Sequence, residues 1–217
     1  MEDFFYSGGL RALMVELGDK LDLSVKTVTG KTLGECIKGS ENFNTDIIRT
    51  LDNPVYHEGS LAVLKGNLAP DGAVIKPAAM DPKFQKHRGP AIVADSYAEL
   101  KEIINDEDYP ITADHVLVLR NAGPKGGPGM PEWGMIPMPK ALLKQGQRDM
   151  IRLSDARMSG TSYGACILHV APEAFIGGPL ALIKTGDIIE VDIPRRKLDV
   201  DVSESEMKKR RNEWVEP

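Results

Sequence analysis

The chain has 217 residues, of which 41% are apolar, and a net charge of −5, enough for one substantial core or at most two small ones. The negative balance argues against a nucleic-acid partner, and the longest apolar runs, such as 164–170, fall far short of the roughly 20 residues a membrane helix needs. The start, Met1-Glu2-Asp3-Phe4-Phe5-Tyr6, turns from acidic to aromatic and is unlike a secretory leader, so a cytoplasmic location without membrane or nucleic-acid partners is expected.

After Gly8 and Gly9, the spacing of Leu10, Leu13, Met14, Leu17 and Leu21 predicts an amphipathic helix ending near Gly18 or Asp19. A short β-branched piece over 23–28 turns at Thr29-Gly30, and Thr32 with Glu35 has the capping-box spacing for a helix over 33–38. A polar stretch over 39–45 closes this front, and 1–59 is expected to be a helical lead-in. From Ser60 the pattern becomes short apolar runs broken by Gly, Pro and Asn, which read as strands at 61–64, 73–75, 91–94, 115–119 and 150–153. Between them, Ser96 with Glu99 opens a helix running to about Ile104, and 139–145 forms another.

The tail reads as a meander of 180–183, 188–193 and 198–202 with turns at Thr185-Gly186-Asp187 and Pro194-Arg195-Arg196, then a charged helix capped by Ser203 and Glu206. The expected class is therefore α+β: over 60–217 a closed or nearly closed β-barrel of the swivelling β/β/α kind, with helices outside. An open α+β sheet is the alternative.

Three sequence features bear on chemistry. The stretch Ser154-Asp155-Ala156-Arg157-Met158-Ser159-Gly160-Thr161-Ser162-Tyr163-Gly164 gathers hydroxyls, a carboxylate and a guanidinium where a core element would carry aliphatic side chains. Its Gly160-Thr161-Ser162-Tyr163-Gly164 fits the nucleophile-elbow pattern, but the only later histidine is His169 with no acid between, which removes the hydrolase order of Ser, acid and His. Asp155 and Arg157 either pair or simply fix this loop. The second feature, 120–134, is rich in glycine and proline yet matches neither nucleotide-binding fingerprint. It carries Glu132, either a solvated loop carboxylate or a ligand for a hard cation such as Mg²⁺. Third, Cys36 and Cys166 are the only thiols, expected to be buried and free; an iron–sulfur cluster ordinarily takes three or four thiolates, so cluster ligands are not expected from this chain. His57, His87, His115 and His169 have no metal-ligand spacing and read as structural.

Gly126-Gly127-Pro128-Gly129-Met130-Pro131-Glu132, Asp155-Ala156-Arg157-Met158-Ser159-Gly160 and Pro172-Glu173-Ala174-Phe175-Ile176-Gly177-Gly178-Pro179, extended by 65–72 and His87-Arg88-Gly89, resemble signature segments of one dehydratase family. That family includes dihydroxy-acid, phosphogluconate and sugar-acid dehydratases, and the resemblance is to its carboxy-terminal part. It implies a hydro-lyase that converts a 2,3-dihydroxy acid to a 2-keto-3-deoxy acid using Mg²⁺ and an iron–sulfur cluster. The cluster cysteines and most Mg²⁺ ligands belong to the family's amino-terminal domain, so the resemblance implies a missing amino-terminal partner and an inactive isolated chain. By the same resemblance Ser159 matches the base, Glu132 the Mg²⁺ ligand from this half, and Thr161, with Arg157 and Gly160, the contacts to substrate. Ser159-Gly160-Thr161 and the segment 1–10 look more like the sugar-acid branch, with dihydroxy-acid dehydratase of branched-chain amino-acid synthesis, or a non-catalytic module when the chain is alone, as alternatives. The family pattern also implies a homo-oligomer, a dimer or a dimer of dimers.

Overall fold

Val116-Leu117-Val118-Leu119 is apolar at every position and buried at every position, the signature of a strand covered on both faces. It is one of eight strands in a computed structural model that describes residues 1–160 and 163–217. The chain divides into two units, Met1–Gly59 and Ser60–Pro217.

In the first unit the helices are α1 (Glu2–Tyr6), α2 (Gly9–Leu17) and α3 (Leu33–Ile37). The capping box at α3 forms as expected: Thr32 N–H donates to Glu35 Oε2 at 2.7 Å and Glu35 N–H to Thr32 Oγ1 at 3.2 Å. The expected β piece over 23–28 is reduced to one bridge, Lys26 to Thr32. Ala12, Ile37 and Ile48 are the buried apolar side chains of this unit, while Phe5, Tyr6 and Phe43 are largely exposed.

The second unit holds β1 (Ala62–Leu64), β2 (Gly72–Ile75), β3 (Lys86–Ala94), α4 (Tyr97–Asn105), β4 (Val116–Leu119), α5 (Lys140–Lys144), β5 (Arg152–Ser154), β6 (Cys166–Ala171), β7 (Ile188–Asp192), β8 (Lys197–Val200) and α6 (Glu204–Glu213). The strand order is β1-β2-β6-β5-β4-β3-β7-β8, with β6, β5, β4 and β3 parallel and the flanking pairs antiparallel. The two edges meet: Lys65, just after β1, donates its N–H to Arg196 O at 2.8 Å and accepts from Leu198 N–H at 2.9 Å. Asn67 extends the seam, donating Nδ2 to Val200 O and accepting from Val200 N–H. The sheet is thus a nearly closed barrel with a few helices, as expected, and closure removes the edges on which strands of other chains could pair.

In this unit one expected strand is absent and another is longer than expected. Residues 180–183 do not form a strand: Pro179–Leu182 is a 3₁₀ turn, opened by proline at its first position. Conversely, β3 begins at Lys86, five residues before its apolar run, because Lys86 to Pro90 pair with Asp192 to Ile188 of β7 on a face where Arg88 meets Glu190 at 2.8 Å. In α4, Ser96 caps as expected, its Oγ accepting from Glu99 N–H at 3.2 Å, and Leu100, Ile103 and Ile104 enter the core. Among the described residues no helix is long and apolar enough to cross a membrane.

Candidate active site

Strands β4, β5 and β6 are adjacent and parallel, so the segments that follow them leave from the same end of the barrel, the end where parallel sheets commonly place ligands. Those segments carry the stretches singled out in the sequence: 120–134, all but the first residue of 154–164, and 172–179. Two buried carboxylates hold them together. Asp155 accepts from Ala122 N–H at 3.0 Å on one oxygen and from Ala174 N–H at 2.8 Å on the other. Glu173 accepts from Lys125 N–H at 3.0 Å and Gly126 N–H at 3.2 Å. Burial, and secondarily the charge of Glu173, raise the Asp155 carboxyl above the ordinary aspartate value, against the two N–H donors that favour its charge.

Because β5 and β6 run parallel, the connection 155–165 has to return from the carboxyl end of one to the amino end of the other. A second buried carboxylate system fixes it there. Asp149 accepts from Met150 N–H and Ala165 N–H, each at 2.9 Å, and from Asp81 N–H at 2.9 Å. Arg152 pairs with the same carboxylate at 2.9 Å and donates to Ile136 O at 2.8 Å.

Between these two anchorages lies the strip that carries the expected site residues. Arg157 pairs with Glu132, Nη1 to Oε1 at 3.0 Å, and its Nε donates to Met130 O. Its own carbonyl accepts from Gly134 N–H at 2.8 Å, a contact so close that a Cβ at Gly134 would sit 2.6 Å from that oxygen. The two loops therefore touch through Arg157, and it is Glu132, not Asp155, that neutralises it. Ser159 and Gly160 line a pocket of about 220 Å³ with Lys76, Cys166, Leu168 and His169. Lys76 Nζ donates to Gly160 O at 2.9 Å. The structure thus joins Glu132 to Arg157, and Ser159 to Gly160, on one strip. Thr161, and Ser162 of the elbow pattern, lie outside the described residues.

Among the described residues no group of three or more His, Cys, Asp or Glu is arranged to bind a metal ion, and Glu132 is a carboxylate paired with Arg157. Cys166 is buried, and burial pushes its thiol up to about 11. Cys36, expected to be buried, is only partly so; hydrogen bonds from the Thr27 and Thr29 hydroxyls lower its pKa.

Lys76, Asp149 and Arg152 were not singled out from the sequence, and Glu173 appeared there only within the segment 172–179, without a role of its own. Asp149 and Arg152 flanking Met150 and Ile151 carried a signal, since charges three apart beside a buried strand ask for a partner. Lys76 carried none, and nothing pointed to the tie that Glu173 makes, because their partners are backbone groups distant in sequence.

Residues 46–217 match the family model described as the dihydroxy-acid/6-phosphogluconate dehydratase C-terminal domain. The chain is 51% identical to 6-deoxy-6-sulfo-D-gluconate dehydratase of Pseudomonas putida over 97% of its own length and 37% of that protein. It is 45% identical to L-arabinonate dehydratase of Rhizobium leguminosarum over 99% of its length and 37% of the relative's, and 47% identical to dihydroxy-acid dehydratase of Methanococcoides burtonii over 97% and 38%. It spans less than two fifths of each of these relatives. With the match covering all three loops that meet at the carboxyl ends of β4, β5 and β6, the chain belongs to the dihydroxy-acid/6-phosphogluconate dehydratase family, to its C-terminal domain.

Proposed function

We propose that this chain is the carboxy-terminal portion of a sugar-acid dehydratase, which converts a 2,3-dihydroxy acid to its 2-keto-3-deoxy acid. The observation that carries the reading is Ser159 in a small pocket on a connection anchored at both ends by buried carboxylates, beside the Glu132–Arg157 pair. Ser159 Oγ, as the alkoxide, takes the C2 proton, the C3 hydroxyl leaves and receives that proton to become water, which regenerates the alkoxide, and the resulting enol tautomerises to the ketone. An ordinary serine hydroxyl is a weak base, so positive charge near it is required; Lys76 shares its pocket.

Arg157, Gly160 and Thr161 orient the substrate. Mg²⁺ and an iron–sulfur cluster supply Lewis acidity toward substrate oxygens in the complete enzyme. Glu132 is the one Mg²⁺ ligand assigned to this chain; the other metal and cluster ligands belong to a longer amino-terminal portion of the protein. That portion is the proposed partner of this chain, which is inactive without it, in a cytoplasmic homo-oligomer.

The choice of a sugar acid is supported by the 51% identity to a sulfogluconate dehydratase and by Ser159-Gly160-Thr161. Dihydroxy-acid dehydratase, at 47% identity, is the second reading. Assay of the complete enzyme against pentonates, hexonates and 2,3-dihydroxyisovalerate separates them: turnover of the last alone rejects the sugar-acid reading. Ser159→Ala should abolish turnover while fold and metal content persist, and near-normal turnover removes Ser159 from the mechanism.

A further inference from the structure

The connection 155–165 is fixed at its ends by Asp155 and Asp149, and near its start by Arg157, but Ser159 lies farther along. A tie from outside reaches its far side. Lys76 follows β2, which is antiparallel to β6, so the residue emerges beside the amino end of β6, where the connection arrives. Its Nζ donates to Gly160 O at 2.9 Å, directly after Ser159, and both residues line the same pocket. Lys76 is half-buried, and the partner described for its ammonium is this backbone carbonyl. A lysine spent on a backbone carbonyl instead of a carboxylate, beside a hydroxyl in a pocket, is placed for something other than surface charge balance.

We propose that Lys76 is a positioning residue for dehydration: through the Gly160 carbonyl it fixes the turn that presents Ser159 to the substrate. The inference rests on the proposed role of Ser159. Because a displacement of about 1 Å in a reacting group costs on the order of 10²-fold in rate, loss of this tie should act on the chemical step and not on substrate affinity.

The test uses the complete, cofactor-loaded enzyme and compares Lys76→Met, Lys76→Arg and Ser159→Ala, with kcat and KM measured alongside melting temperature and metal content. Lys76→Met, which keeps the stem and removes the donor, should lower kcat about 10²-fold with KM and melting temperature little changed, and Lys76→Arg should restore most of it. A Met variant with wild-type kcat, an effect on KM alone, or an Arg variant no better than Met overturns the proposal. If the Met variant does not fold, Lys76→Gln replaces it: its amide stops one methylene short of the carbonyl, so reduced kcat supports the proposal and wild-type kcat rejects it. An active Ser159→Ala enzyme defeats the reading of Ser159 itself, whereas an inactive one beside a fully active Lys76→Met enzyme defeats only this inference.

Discussion

Arg152 and Asp149 form an ion pair at 2.9 Å in which the side chains are only 1% and 8% exposed. Such a pair is weak evidence of net stability, because removing two charges from water offsets most of their attraction. Breaking it is another matter. In Arg152→Met the Asp149 carboxylate keeps its N–H donors from Met150, Ala165 and Asp81 but loses its counter-charge in a buried setting. The expected loss is about 3 kcal/mol, at the lower end for one-sided removal because those donors remain. Urea denaturation measures it, and a loss below about 1 kcal/mol would mean the pair is already solvated. Arg152 Nε has no hydrogen-bond partner among the described residues, so Lys at this position removes an orphaned donor. It also removes the fork that reaches both Asp149 and Ile136 O. The second effect involves two bonds and should dominate, leaving Arg152→Lys destabilised as well.

Asp155 makes a prediction with a definite pH sign. Its folded pKa lies above the unfolded value, so its contribution to stability is fully present below the ordinary aspartate pKa and is lost as pH rises through the folded pKa. Asp155→Asn has no charge to titrate. It also turns an NH₂ toward one of the two N–H groups, of Ala122 or Ala174, that the carboxylate now accepts. The variant should be less stable at pH 7 by about 1–3 kcal/mol, the cost of an unsatisfied buried donor. The gap to wild type should widen when pH is lowered from 7 to near the ordinary aspartate value, where the wild-type carboxyl recovers stability that the amide cannot. Denaturation curves at the two pH values test this; a gap that narrows reverses the assigned shift.

These two carboxylates also mark the boundary of what the sequence reveals. The helix starts at Thr32, Ser96 and Ser203 are legible because a cap and its partner lie three residues apart. The barrel is legible because its buried strands repeat apolar residues at strand spacing. Residues 180–183 mislead, since Leu-Ala-Leu-Ile has the composition of a strand and only Pro179 and the surrounding packing select a 3₁₀ turn. At the site, the loop chemistry of 154–164 is visible from composition alone, yet Asp155 finds its partners 33 and 19 residues away on backbone N–H groups. No pattern of side-chain types encodes a bond to a distant amide. The same reason hid Lys76 and the bonds of Glu173.

The cysteines should differ sharply in reactivity. Cys166 is buried and its thiol is pushed up to about 11, so its thiolate is scarce at neutral pH. Cys36 is partly exposed, and hydroxyls of Thr27 and Thr29 near its sulfur lower its pKa. Iodoacetamide at pH 7.5 should therefore modify Cys36 first in the folded chain, with Cys166 reacting only on denaturation. Thr27→Val should slow the Cys36 reaction, since it removes the first of the two hydroxyls. Peptide mass spectrometry over a time course reads both sites, and equal rates in the folded chain would contradict the burial of Cys166.

Closure of the barrel depends on one position where no side chain fits. A Cβ on Gly66 would lie 2.0 Å from Leu198 O and 2.3 Å from Asp199 Oδ1. The Leu198 oxygen is backbone of β8 and cannot swing away as a side chain could. The neighbouring bonds allow no retreat either: Lys65 is held by Arg196 O and Leu198 N–H, and Asn67 N–H by Asp199 Oδ1 at 2.7 Å. Gly66→Ala must therefore open the seam between β1 and β8 or strain it, at a cost of about 1–3 kcal/mol or more for an overpacked contact. Gly146→Ala is the control for backbone strain alone, because Gly146 has positive φ but open space around its Cβ. The seam variant should melt well below the control, and amide exchange should quicken at Lys65, Asn67 and Leu198 before it does in β4. Equal melting temperatures, with exchange at the seam unchanged, would show that the edges of this barrel contribute little to holding it shut.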